Sequence, residues 1–488
     1  MLLLIVQNNY SSFTMSNNIR IDAYENHGLE QNQLMQFYMN VHPEFALHDS
    51  NGQSTCTKTL EEILIGMDSA NFKHIFDAVQ STRKILCSKG EPPTDLIIRH
   101  GIVPKLVTFL DYSNNTNLQF EATWALTNIA AGTYEQIMAV VDAGAVDKFI
   151  RLLSSPSAIV ADQSVWALAN IAGNCSKTRD IVLNANVVEG LVQLFATNLS
   201  IRFLRNITWL MANLCRSKEP SAPLDKVKVM LPYLAKLLLH PDRQVVIYAA
   251  KAISYVTDDD INKIQAVIDH GCVLPLVRLL DRDHSSIIEP SLRIIGDIIF
   301  AGIQQTDTVI YAGVLTPLKR LLKSNKKKIV KKAAWIISNI TATNSYQIEY
   351  VINANVFPII RNILKKGHFK SQKEAAWIVT NTATWGTPKQ VISLVNTVFI
   401  PFCSLMDSKN TETVNVVLTG LTKILEAADK FGCSDQVLLA LEEHNFIDLL
   451  EKLLSHADEG IYKRAQFIIE EYFNDEEQEN NLGPGYQF

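Results

Sequence analysis

The sequence predicts an all-α solenoid, a row of small helical units in which each unit packs only on its neighbours. Two patterns predict it. A Trp-x-x-x-Asn pair recurs at Trp124/Asn128, Trp166/Asn170, Trp209/Asn213, Trp335/Asn339 and Trp377/Asn381, with tryptophan gaps of 42, 43, 126 and 42 residues. The long gap is three times the short one, so two repeats carry other residues at those places: Lys251/Tyr255 and Arg293/Asp297. A fixed period above about 40 residues marks a helical repeat array. The second pattern is a glycine or asparagine at one place in each unit: Gly101, Gly144, Gly271 and Gly313, with Asn186 and Asn355 standing in. These residues tolerate the left-handed backbone that stops a helix.

Size agrees. At 488 residues the chain exceeds what one compact core holds, and a solenoid escapes that limit. The hydrophobic fraction of 47% is that of a folded protein, and a net charge of −5 does not point to a nucleic-acid binder. Seven dispersed cysteines (Cys56, Cys87, Cys175, Cys215, Cys272, Cys403, Cys433) form no C-x-x-C pair. They read as reduced thiols of a cytosolic or nuclear protein. The apolar start Met1–Val6 is too short for a signal peptide, and no other segment reads as a membrane span.

Along the chain, residues 1–72 are polar and acidic and are expected to be disordered, with order beginning near Thr59-Leu60-Glu61-Glu62. The repeats run over 73–473. Each unit is expected to be one short helix and two longer ones. In the best-marked unit, Gly144 ends the first helix. Val146–Leu153 forms the second, Ser154-Ser155-Pro156-Ser157 breaks it, and the third carries Trp166 and Asn170. Two prolines mark Arg216–Pro223 as a loop. The run Lys323–Lys332 reads as a solvated helix face. Residues 474–488 form an acidic tail expected to be disordered. His240, His284 and His368 are isolated and read as surface residues. No phosphate loop, metal-ligand cluster or nucleophile–base motif appears, so neither an enzyme nor a cofactor is expected.

Residues i and i+4 share a helix face, so stacking turns the pairs into a ladder. The tryptophan helices already carry small apolar residues such as Ala122, Ala125, Leu126 and Ile129 for burial, and a buried, unpaired amide is costly. These features favour a solvent-facing row over core. Parallel indoles would form slots for the aliphatic stems of Lys or Arg, with cation–π attraction to the charged heads. The amides would clamp an extended backbone. The ligand so described is an extended basic peptide.

These segments resemble the importin-α (karyopherin-α) family, the armadillo-repeat adaptors that read nuclear localisation signals. The resemblance rests on Trp124–Ala130, Trp166–Gly173, Ile264–Asp269 and Lys373–Trp377, and covers about residues 60–473. The stretch Phe203–Trp209, the proline loop and the ending Gly485-Tyr486-Gln487-Phe488 are most similar to the α1-type branch. The resemblance implies a right-handed superhelix of about ten armadillo repeats and an adaptor that shuttles between cytoplasm and nucleus. It implies a major peptide groove of Trp124, Asn128, Gly132, Gln163, Trp166, Asn170, Asn174, Trp209, Asn213 and Asp258. It implies a minor groove of Arg293, Trp335, Asn339, Glu374, Trp377 and Asn381. Its implied partners are the localisation signals of cargo proteins, importin-β, and an export receptor at the C-terminal repeat and tail.

The chain also departs from the family. Residues 1–72 hold two basic residues, Arg20 and Lys58, against eight acidic ones, where a strongly basic importin-β-binding segment is implied. Asn174 stands where the main acidic anchor is implied, and Ile137, Tyr248, Lys251, Asp297, Gly302 and Ile303 replace other family residues. A charge-assisted contact is worth about 1.5–3 kcal/mol, so lysine-rich signals are expected to bind more weakly. A second reading follows: an importin-like scaffold or chaperone that binds basic peptides without coupling to importin-β.

Overall fold

The computed structural model describes residues 58–88, 92–216, 219–257 and 260–473. Most of the segment 1–72, the tail 474–488, Cys56 and Asp258 lie outside them. The chain divides into two compact units between Ser88 and Lys89.

In the first unit, Thr59 caps the helix Leu60–Met67 through a reciprocal box with Glu62. Asn71 caps Phe72–Leu86. The boundary expected after residue 72 falls at the start of the second of these two helices, and Ile63 and Met67 of the first are buried just as Ile75 and Val79 of the second are.

In the second unit, the helices Tyr134–Asp142, Ala145–Leu152 and Ala158–Asn174 form one repeat, and are 9, 8 and 17 residues long. The expected short-long-long unit is therefore short-short-long. Gly144, at φ 78°, stops the first helix, and the polar break at residues 154–157 stops the second. Only the tryptophan helix lacks a break. Asn186 and Asn355 take the same left-handed conformation, at φ 61° and 52°, as does Asn445 at φ 57°.

The long helices are Thr116–Ile129, Ala158–Asn174, Ile201–Cys215, Arg243–Val256, Ser285–Phe300, Lys327–Thr341, Phe369–Trp385, Thr411–Phe431 and Glu459–Tyr472. Each packs against the next. Local caps start many of them: Asn115, Ser200, Asp242, Asn410 and Asp458 each accept a bond from a first-turn backbone N–H.

One repeat differs, and it corrects the expectation about membrane spans. Pro388–Asp407 is long and apolar enough to cross a bilayer by length and composition. No residue there takes a left-handed stop, so two short helices fuse into one. Its apolar side is core: Val391, Leu394, Val398, Phe399, Phe402 and Cys403 are buried against neighbouring helices.

Candidate functional site: the tryptophan and asparagine row

The long helices carry the Trp-x-x-x-Asn pairs one beside another, so neighbouring pairs are neighbours in space. The indoles do not stand free as open slots. Trp124 and Trp166 are only 7% exposed, while Trp209, Trp335 and Trp377 are half-buried. Burial follows from the packing: Phe120 lies 5.5 Å from Trp124, ring to ring, and the Trp335 ring lies directly over Gly296. A Cβ at Gly296 would come within 2.4 Å of Trp335 Cζ3.

The asparagines have a structural task. Asn170 Nδ2 donates to Thr127 O at 3.2 Å, Asn213 Nδ2 to Ala169 O at 2.9 Å, and Asn381 Nδ2 to Ser338 O at 2.9 Å. Each acceptor is the residue just before the preceding repeat's asparagine. The amide therefore staples its helix to the one before it. Its carbonyl oxygen and second N–H take no part in the staple. At Gly173 the missing side chain admits the amide, since a Cβ there would sit 2.9 Å from Asn213 Nδ2. Asn339 breaks the pattern, because its buried Nδ2 finds no acceptor among the described residues. In the preceding repeat the asparagine is replaced by Asp297, whose Oδ2 accepts from Thr257 Oγ1 at 3.2 Å.

The other expected residues are distributed unevenly. Asn128, Gly132 and Asn174 are half-buried. Gln163 is buried, at 3% exposure. In the C-terminal half, Arg293 Nε lies 3.9 Å from Asp297 Oδ2, and Lys331 Nζ lies 3.9 Å from Glu374 Oε1. Burial pushes the Glu374 carboxyl up to about 7, and the neighbouring lysines, Lys331 first, offset only part of that.

Sequence reasoning missed a set of charged residues three or four places before the tryptophans. Asp162, 4% exposed, pairs with Arg202 at 2.6 Å and accepts from Asn206 Nδ2 at 2.8 Å. Burial raises its carboxyl above the usual range despite that pair. Arg205 grips Asp242 with two bonds, at 3.0 and 2.6 Å. Lys373 pairs with Glu412. Lys332 is the largest surprise. Its Nζ lies 3.6 Å from the centre of the Trp335 ring, so the basic run is not a uniformly solvated face. Counting back along the helix from each tryptophan would have found all of these positions.

Comparison with known proteins agrees with this geometry. The family described as Armadillo/beta-catenin-like repeat matches residues 90–131, 133–173, 303–342 and 344–384, and the Atypical Arm repeat matches 435–485. Importin subunit alpha-B of Dictyostelium discoideum is 50% identical over 432 residues, which is 87% of this chain and 84% of that protein. Importin subunit alpha-3 of Arabidopsis thaliana is 39% identical over 258 residues, 53% of this chain and 48% of its own length. A crystal structure of an engineered protein superimposes with a TM-score of 0.68 at 26% identity, covering 84% of this chain and 98% of that one. The fold is an all-α solenoid of armadillo repeats.

Proposed function

This chain belongs to the importin-α family, and on that footing we propose that it is a nuclear import adaptor. It binds the localisation signals of cargo proteins as extended basic peptides along its tryptophan and asparagine row. The observation that carries this reading is the staple. It fixes each amide at one repeat's spacing and leaves a carbonyl oxygen and an N–H on each to meet a peptide backbone. The half-buried indole of Trp209 offers part of its face to a lysine or arginine stem. Asn174 in place of a carboxylate lowers affinity for lysine-rich signals without removing the clamp. In this reading Trp124, Asn128, Trp166, Asn170, Trp209 and Asn213 form the stronger site, the C-terminal repeat contacts an export receptor, and the protein moves between cytoplasm and nucleus.

The test is fluorescence anisotropy with a labelled lysine-rich peptide and the full chain. Trp209→Ala should weaken binding about tenfold or more, the loss of one good contact. Lys251→Ala, in a repeat without the pair, should not weaken it. Equal binding of an acidic peptide of the same length would overturn the reading. The acidic balance of residues 1–72 favours a second reading, a basic-peptide scaffold that does not couple to importin-β. Retention on immobilised importin-β decides between the two.

A further inference from the structure

The Trp335 position is unlike the others in one respect. Three residues before the tryptophans of the row stand Glu121, Gln163, Asn206, Lys332 and Glu374, and only Lys332 is a cation. Its stem is half-buried and its ammonium sits over the indole, 3.6 Å from the ring centre. That is where the proposed function would place a lysine of the bound peptide. The surrounding charge is cationic in balance. Arg293, Lys331 and Lys332 face the carboxylates Asp297 and Glu374, three against two, and both carboxylates already have partners.

We propose that Lys332 acts as a built-in occupant of the Trp335 position and closes the C-terminal half of the row to basic side chains. Recognition of basic peptides is then confined to the repeats of Trp124, Trp166 and Trp209. This rests on the basic-peptide reading above. Two effects act together. The indole face is already covered, so a peptide lysine gains no cation–π contact without displacing Lys332. A second ammonium brought there would also meet like charge at short range in a partly desolvated place. Burial holds the Lys332 ammonium down to about 8, with Asp297 opposing and Arg293 and Lys331 adding to the shift, so the group over the indole is still mostly charged near neutral pH.

The geometry also sets the ligand that tests this. Trp209 and Trp335 are three repeats apart, roughly 24–30 Å at 8–10 Å between packed helices. An extended chain crosses that span in about nine residues. Two peptides are needed, one with a single lysine/arginine cluster and one with two clusters joined by about twelve neutral residues, a slack that leaves the linker unstrained. Binding to the full-length protein is measured by isothermal titration calorimetry. The wild type should bind the two peptides within twofold of each other. Lys332→Glu should bind the two-cluster peptide about tenfold more tightly and leave the single-cluster affinity within twofold. Lys332→Gln should fall between, and Lys331→Gln, whose ammonium does not cover an indole, should gain nothing. Unchanged thermal melting of these variants shows that the gain is not a refolding effect. A wild type that already gains tenfold from the second cluster, or a Lys332→Glu variant that gains nothing, overturns the inference. Absence of single-cluster binding instead overturns the basic-peptide reading, and this inference with it.

Discussion

Asn213 and Asn339 occupy the same place in their repeats and should respond to alanine with opposite sign. Asn213 is 9% exposed and donates to Ala169 O at 2.9 Å, so Asn213→Ala removes a well-formed neutral hydrogen bond between repeats. That bond is worth about 1 kcal/mol net. Asn339 Nδ2 is buried without an acceptor, and such a donor costs about 1–3 kcal/mol. Asn339→Ala removes that cost and loses only the packing of a small amide, so it should stabilise its interface by about 1 kcal/mol. The difference is about 2 kcal/mol, about thirtyfold in a local opening equilibrium. Amide hydrogen exchange is the suitable assay, because a repeat array opens locally and a single unfolding midpoint would average over it. Amides of Ile201–Cys215 should exchange about fivefold faster in Asn213→Ala, and those of Lys327–Thr341 about fivefold slower in Asn339→Ala. Equal destabilisation by the two substitutions would refute the staple as the source of the difference.

Gly296→Ala places a Cβ within 2.4 Å of Trp335 Cζ3, so it should displace the indole, shift the protein's tryptophan emission and lower stability by about 1–3 kcal/mol in urea titration. Asp162→Asn keeps an oxygen that can accept from Asn206 and Arg202 and should cost less than Asp162→Ala, which removes that acceptor altogether and should cost about 2–4 kcal/mol. Paired thermal melts check both, and an Asn variant as damaged as the Ala variant contradicts the assignment. Glu374, at about 7 in the fold against an ordinary 4.5, binds its proton more tightly when folded. Its stabilising contribution is complete below about 4.5 and is lost as pH rises through about 7. Wild type should therefore lose up to about 3 kcal/mol relative to Glu374→Gln between pH 4.5 and 8. Lys331, Lys332, Lys373 and Glu412 surround the group, and a pH-independent difference between the two proteins would rule out Glu374 as its source.

The repeat period and the helix stops were legible in the sequence because both are local. A left-handed Gly144 or Asn186 needs no distant partner to make itself known. The spacing of Trp166 and Asn170 likewise identified the face on which they lie. What escaped is what that face meets. Nothing within the Asn213 segment says that its amide reaches Ala169, 44 residues earlier. Burial of Trp124 and Trp166 escaped as well: each reads as part of an exposed stripe, and each is only 7% exposed in the packed array. A buried amide does need a partner, and here the neighbouring repeat supplies it in place of solvent or ligand. Charge patterning alone places Lys332 in a solvated run, because it counts residues and not the ring three places on.

The staple bears on how such a row can change over time. Under the proposed function, an asparagine that both grips the peptide and sets the distance to its neighbour cannot be altered for one purpose alone. Loss of an asparagine should weaken recognition and loosen the spacing together, so these positions are poor material for new preferences. The places three and four before each tryptophan take no part in the staple, and there the charge changes from repeat to repeat: Phe120 and Glu121, Asp162 and Gln163, Arg205 and Asn206, Lys331 and Lys332, Lys373 and Glu374. The frame and the lettering are carried by different residues, and the lettering can be rewritten repeat by repeat while the frame stands.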